Sequence, residues 1–235
     1  MQTTTQTTNL TQGILKRMLQ VVGIILFQAV ILFISAGRLD WWAAWAYVGV
    51  YVVGIGINSL VLLPRDPELV AERAAPKENV KSWDKTISGL SGVSIMLALV
   101  VAGLDVRWTW SPAIGWAVQA VGFVLLVLGD ALFSWAMLSN TFFSTQVRIQ
   151  ADRGQTVASA GPYRYVRHPG YVGWILMNLG IPLLLGSLWA IVPSVLAIVL
   201  MIVRTALEDL TLQAELAGYK DYAARVRFRL LPGVW

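Results

Sequence analysis

An all-α, polytopic membrane bundle of about six transmembrane helices is the fold class this sequence predicts, and three observations carry the prediction. The 235 residues are 57% hydrophobic and only 13% charged, and the mean hydropathy is +0.64, far more apolar than a soluble domain. The apolar residues gather into five uncharged stretches. The basic residues gather between these stretches in an alternating pattern. A helix rising ~1.5 Å per residue needs ~20 residues to cross ~30 Å of hydrocarbon.

Residues 1–13 are rich in Thr and Gln and carry no charge, which reads as a disordered polar tail. No cleavable signal peptide is expected, because the first apolar run is long enough to span and no A-x-A-like site follows it. Met18–Gly37, Trp41–Pro64, Thr86–Leu104 and Trp108–Gly129 each fit one crossing. Gly170–Val203 is too long for one ordinary pass. It holds Gly186-Ser187 at its middle, with Pro182 and Pro193 on either side, and so predicts two shorter helices in a tight hairpin. The competing reading is one tilted, kinked span. Charge decides between them. With the N-terminus cytoplasmic and six spans, every one of the 18 basic residues except Arg38 and Arg107 falls on the cytoplasmic side, as the positive-inside rule favours. Five spans would place the basic C-terminal group outside. Trp41, Trp42, Trp108, Trp110 and Trp189 then fall at the outer edges as an interfacial belt. The expectation is a multi-pass protein of the cell membrane with both termini cytoplasmic.

Several function classes drop away. The net charge of +5 is spread over several loops facing anionic headgroups, so membrane lipids rather than nucleic acid are the expected partners. With no cysteine and a single histidine, neither disulfides nor a thiolate or histidine-cluster metal site is expected. No internal repeat suggests the paired inverted halves of many transporters. The chain divides instead into an N-terminal transmembrane scaffold, residues 14–104, with a charged loop at Arg65–Lys85, and a C-terminal core, residues 105–235, ending in a short cytoplasmic cap.

Three features converge on the cytoplasmic face of that core. Gly161–Tyr171 reads GPYRYVRHPGY and holds the only histidine. A residue before proline is pushed out of the helical region and proline suits the first helical position, so His168 should be an N-cap and Pro169 the first helical residue. Free N–H groups and the helix dipole there favour an anion such as a carboxylate. A helix cap flanked by lipid-binding arginines would explain the same residues. Second, Arg204 and Glu208, followed by Asp209, share one helix face at i,i+4. Such a pair could be a boundary ion pair only, but the hairpin returns it towards His168. Third, the tail from Gly218 to Gly233 carries Tyr219, Tyr222, Arg225, Arg227 and Arg229, which suits a cap over a headgroup-level pocket or an interfacial anchor of snorkelling arginines. Asp130, deep in the fourth span, either lines a polar cavity or joins helices as a neutral carboxyl. Gly54-Ile-Gly56 reads as helix packing, and no Rossmann signal is present.

As an ordered set, GPYRYVRHPGY, then R-x-x-x-E-[ED], then a GY-x-x-Y element and a closing RLLPG resemble the isoprenylcysteine carboxyl methyltransferase and phospholipid methyltransferase superfamily, over roughly Asn140 to Pro232. The resemblance implies an integral-membrane methyltransferase that uses S-adenosyl-L-methionine in a non-Rossmann site. It implies that Tyr163, His168, Pro169, Gly170, Tyr171 and Glu208 belong to the cofactor site, as do Gln155, Val157 and Ala158 in the Gln155–Ala158 stretch, although the family often has histidine where Gln155 stands. It makes Arg204 the catalytic arginine near the acceptor's reacting group, whose planar fork suits an anionic nucleophile. Asp209 stands where a second glutamate is usual. The expected acceptor is lipophilic and enters from the bilayer: a prenylcysteine-type carboxylate, or a similar small lipophilic acid or thiol. The alternatives are a phospholipid N-methyltransferase and an NADPH-dependent, sterol-reductase-like oxidoreductase. The first hundred residues assign no substrate.

Overall fold

The computed structural model describes residues 2–235, with side chains from Leu10 onward. In chain order the helices are α1 (Gln2–Ala36), α2 (Trp42–Arg65), α3 (Pro67–Glu72), α4 (Ser82–Trp108), α5 (Trp116–Leu138), α6 (Pro169–Leu185), α7 (Ile191–Glu215) and α8 (Tyr219–Arg225), with 3-10 turns at Ala151–Arg153 and Gly161–Arg164. No strand occurs among the described residues. Helices α1 from Leu10, α2, α4, α5 and α7 are each long and apolar enough to cross a membrane, and α6 is a shorter apolar helix. The all-α, multi-pass bundle is therefore present, and α6 and α7 form its C-terminal hairpin around Gly186, whose φ of +73° closes the turn.

Two boundaries differ from expectation. The tail read as disordered is helical from Gln2, and Met1 lies outside the described residues. No Pro or Gly interrupts residues 2–12, and extending a nucleated helix costs far less than starting one. The fourth crossing is Trp116–Leu138, not Trp108–Gly129. Thr109 takes a left-handed conformation that ends α4, Pro112 follows, and α5 then runs straight through Asp130. The uncharged run had marked where charges fall, not where the backbone turns.

The seam between α5 and α6 sets the bundle. Gly122 and Gly129 on α5 face Gly180 and Gly173 on α6. A Cβ at Gly129 would lie 2.6 Å from the Gly173 carbonyl, and one at Gly180 would lie 2.6 Å from the Gly122 carbonyl, so the backbones touch as only small residues allow. Of the Gly54/Gly56 pair, Gly54 packs directly against the Asp130 carboxyl while Gly56 meets nothing.

The bundle has two distinct ends. One carries α3, the 139–168 segment, α8 and the C-terminal tail. At the other, buried Asp105 accepts bonds from the Ser111 N–H at 2.7 Å, the Ser111 hydroxyl and the Ser187 hydroxyl. The Ser187 and Ser111 hydroxyl oxygens in turn accept from the Ala190 and Leu188 N–H groups. This holds the hairpin turn to the end of α4. Ser187 is consequently inaccessible.

Candidate functional site

The α6–α7 hairpin brings residues 167–171 beside residues 204–209, as its return predicts. Before α6 the chain runs Arg167-His168-Pro169: His168 is the N-cap, with φ of −127°, and Pro169 opens the helix. The His168 side chain makes no capping bond. The Arg167 and His168 N–H groups bond the Phe228 and Arg229 carbonyls, so the tail lies along this segment and closes over it. Gly218 takes the left-handed conformation, φ +79°, as the N-cap of α8, two residues beyond the Leu216 C-cap of α7.

Beneath the tail lies a hub on one carboxylate. Asp209 is wholly buried. It receives Arg167 through two bonds, 2.7 and 2.9 Å, Arg229 Nε at 2.9 Å, the Tyr219 hydroxyl at 3.0 Å and Gln213 Nε2 at 2.8 Å. His168 Nε2 stands 3.3 Å from the same carboxylate and 3.4 Å from the Tyr219 oxygen. Arg167 also donates to the Val226 and Arg227 carbonyls, both at 2.8 Å. Burial works against the Arg167 charge, but the bonds and charge of Asp209 outweigh it and hold the guanidinium above its usual range. Burial, followed by the charge of Asp209, pushes the Tyr219 hydroxyl well up, which keeps it a donor.

Next to the hub opens a cleft of about 810 Å³, including the part open to solvent. Gln155, Val157, Ala158, Tyr163, His168, Gly170, Tyr171 and Glu208 all line it. Pro169 alone of the expected cofactor residues does not; it is buried at the first helical position. Glu208 accepts the Tyr171 hydroxyl, and the Tyr171 ring lies parallel to the His168 ring with centres 5.6 Å apart. Asn140 donates to the Tyr163 hydroxyl at 3.2 Å, and the Tyr163 carbonyl accepts from Tyr222 at 2.7 Å. Burial raises the Tyr163 hydroxyl. Gln155 accepts from the Gln150 N–H at 2.7 Å, which fixes the loop before Val157. Asn140, Phe143, Arg148, Tyr219 and Tyr222 also line the cleft.

Arg204 is placed differently from expectation. It makes no ion pair with Glu208. Its Nε bonds Asp84 of α4 at 2.6 Å, its Nη2 bonds the Thr145 carbonyl at 3.1 Å, and it is absent from the cleft lining. It meets the cleft through Tyr171, with Cζ 5.2 Å from the ring centre. Asp84 also accepts the Val147 N–H at 2.9 Å, so one buried carboxylate from the N-terminal half fixes both α7 and the loop leading into the cleft. Nothing in the sequence near Asp84 signals this. Asp209 had a signal, its place after Glu208, but not one that shows its donors.

The architecture is that of a polytopic helical membrane protein with a polar, arginine-rimmed cleft at one end of its C-terminal helical hairpin. Residues 120–214, less than half of the chain, match the Isoprenylcysteine carboxyl methyltransferase (ICMT) family. It is 40% identical over 70 residues to a protein-S-isoprenylcysteine O-methyltransferase of Schizosaccharomyces pombe (29% of this chain, 29% of the relative). Over 82 residues it is 29% identical to the protein of that name from Mus musculus (34% of this chain, 29% of the relative). Over 71 residues it is 30% identical to a probable protein-S-isoprenylcysteine O-methyltransferase of Oryza sativa subsp. indica (30% of this chain, 37% of the relative). The matched stretch thus spans well under half the length of each of these relatives.

Proposed function

We propose that this chain is a membrane methyltransferase that binds S-adenosyl-L-methionine in the cleft beside Asp209 and methylates a lipophilic acceptor bearing a carboxylate or thiolate. The observation that carries the reading is the gathering of eight residues from three separate segments, Gln155–Ala158, Tyr163–Tyr171 and Glu208, onto one cleft. The lining suits the cofactor. Its walls supply tyrosine rings, one carboxylate and the Arg148 guanidinium, whose Nη atoms pair with Asp152 and Glu72 while its Nε is buried without a partner.

When bound, the sulfonium supplies a methyl group that an anionic nucleophile takes by in-line displacement, the bonding pair leaving with sulfur; no general base is needed for a nucleophile already ionised. The protein's part is alignment and exclusion of water. His168 and the start of α6 orient the cofactor's carboxylate. Glu208, held by Tyr171, takes a polar group of the cofactor. Arg204, its charge matched by Asp84, steadies Tyr171 and the Thr145 carbonyl on the acceptor side. In this reading residues 105–235 are the methyl-transfer core, and the scaffold of residues 14–104 contributes Asp84.

The cleft end faces the cytoplasm, since Arg38 and Arg107 lie together at the opposite end, where Gly37 packs against the Arg107 guanidinium. Cysteines introduced at Ser159 and Trp189, both exposed, should label from opposite sides of a cell membrane; labelling from one side overturns the orientation. The reaction itself is tested by calorimetry of the detergent-purified protein with S-adenosylhomocysteine and, separately, NADPH, followed by a labelled-methyl screen of lipid extracts. Binding of S-adenosylhomocysteine alone supports the reading. Binding of NADPH alone would replace it with a reductase.

A further inference from the structure

A second cavity, of about 1150 Å³ with its open part, lies within the bundle between α1, α2, α5 and α6. Much of its wall comes from α1, α2 and the end of α3, outside the residues matched to the methyltransferase family. Its upper part is apolar with isolated amide and hydroxyl groups and one carboxyl, Asp130. Its foot, at the cleft end, carries two arginines, Arg17 and Arg73.

Those two cations differ from the paired arginines of the cleft end. Among the described residues neither is in an ion pair. Arg73 donates to the Phe143 carbonyl at 3.2 Å and lies 5.3 Å from the Phe143 ring centre; Arg17 lines the same cavity. Burial and then the like charge of Arg17 bring the Arg73 guanidinium down to about 10. Two partly buried guanidiniums that share a cavity foot repel each other, the Glu72 charge beside Arg73 offsets this only in part, and an anion there would relieve the cost. A second observation points to a ligand: Asn58 lines the same chamber, and its Oδ1 is buried without a partner.

The chamber touches both the bilayer and the cleft. Asp130 is common to it and to an apolar groove between α2 and α5, whose walls include the exposed side chains of Val53 and Phe123. The Asn58–Ser134 bond, 2.7 Å, crosses this seam. At the foot, the Phe143 ring separates the chamber from the cleft: it packs on Phe133, which lines the chamber, with ring centres 5.2 Å apart, and it lines the cleft itself. On the cleft side a Cβ on Gly170 would lie 2.9 Å from that ring, so the wall consists of Phe143 backed by Phe133 and Arg73.

We propose that this chamber is the acceptor site: it takes a single-chain amphiphile from the bilayer through the α2–α5 seam, with the tail among α1, α2, α5 and α6 and an anionic group on Arg17 and Arg73 against the Phe143 wall. The charge at the foot selects an acid over a neutral or cationic lipid, and the chamber's position sets that end against the Phe143 wall of the cleft. The proposal rests on the methyltransferase reading for its purpose but not for its test.

The full chain in nanodiscs is photolabelled with a diazirine-bearing 16-carbon fatty acid and with the matching alcohol, and the adducts are mapped by mass spectrometry. The acid should label chamber residues and the alcohol should label them at least about tenfold less, the size of one charge-assisted bond. Arg17→Gln and Arg73→Gln should each cut acid labelling about tenfold. Ile55→Trp, which fills the chamber, should abolish it. All three variants should keep wild-type S-adenosylhomocysteine affinity, which shows that they are folded. Equal labelling by acid and alcohol, or adducts only outside the chamber, overturns the proposal. So does suppression of labelling by phosphatidylglycerol discs relative to phosphatidylcholine discs, which would make the foot a site for bulk lipid headgroups. Acid labelling without S-adenosylhomocysteine binding would leave the chamber standing and remove the methyltransferase reading; the converse removes only the chamber.

Discussion

Two buried aspartates, at opposite ends of the same bundle, do different work. Asp105 is surrounded by two serine hydroxyls and one backbone N–H, and no cation is paired with it among the described residues. Asp209 is surrounded by two guanidiniums, a tyrosine, an amide and the histidine ring. The first arrangement fastens a turn: its donors belong to the loop and hairpin that it joins, and it borders none of the cavities described above. The second holds a cap over a cleft, and its excess of positive donors leaves the neighbourhood fit for an anionic group. Burial of a carboxylate thus marks no function by itself; what it is paired with, and what opens beside it, does.

The comparison breaks most visibly at Asp209. Removing one partner of a buried, hydrogen-bonded ionic group costs about 3–5 kcal/mol, because the other charges are left unpaired. Asp209→Ala should therefore leave Arg167 and Arg229 without their shared partner and loosen the C-terminal tail. Proteolysis should then clip residues 226–235 in the variant while sparing the wild type, and S-adenosylhomocysteine binding should disappear. A protected tail with intact binding would reduce Asp209 to the same status as Asp105.

Smaller losses are expected where the cleft touches the cofactor directly. His168→Ala and Glu208→Ala should each weaken S-adenosylhomocysteine binding by about 1.5–3 kcal/mol, the range for hydrogen bonds to charged groups, measured by calorimetry on protein with an unchanged melting profile. Wild-type affinity in both would return His168 to a helix cap and Glu208 to a partner of Tyr171 only.

How much of this the sequence disclosed follows the range of the interactions. The crossings, the hairpin at Gly186 and the gathering of His168, Tyr171 and Glu208 were legible, because hydropathy, turn residues and i,i+4 spacing act over short distances. The start of α5 was not, since a run of uncharged residues continues through Pro112 while a helix does not. Nor was the partner of Arg204. The spacing offers Glu208 four residues away, but Asp84, 120 residues distant, takes the guanidinium, and only the packing of α4 on α7 could show it. Asp209 was read as a substitution in a motif, because its donors arrive from a loop and from the tail. The glycines of the α5–α6 seam carry no chemistry, so nothing local distinguishes them from other glycines in apolar runs.

Arg204 allows the comparison to be sharpened within the cleft end. Lysine keeps its charge but cannot bond Asp84 and the Thr145 carbonyl at once through a fork. Arg204→Lys should lower turnover by about tenfold, or ~1.4 kcal/mol in the barrier, while leaving S-adenosylhomocysteine affinity within error. Asp84→Asn should show the same split if Arg204 acts through this pairing. An equal fall in both quantities would move Arg204 into the cofactor site.

The smallest effect belongs to the far end. Ser187→Ala removes one hydroxyl that donates to Asp105 and accepts from the Ala190 N–H, while both Ser111 bonds to the carboxylate remain. The expected loss is about 1 kcal/mol of stability, within the range for one intramolecular hydrogen bond, read as a modest fall in unfolding midpoint. Cofactor affinity and turnover should not change, because no charge is left unpaired and the turn lies at the opposite end of α6 from His168. That independence is the point of the measurement. If loosening this turn lowers S-adenosylhomocysteine affinity, the α6–α7 hairpin transmits strain along its length, and the two aspartates belong to one mechanical unit rather than to a staple and a site.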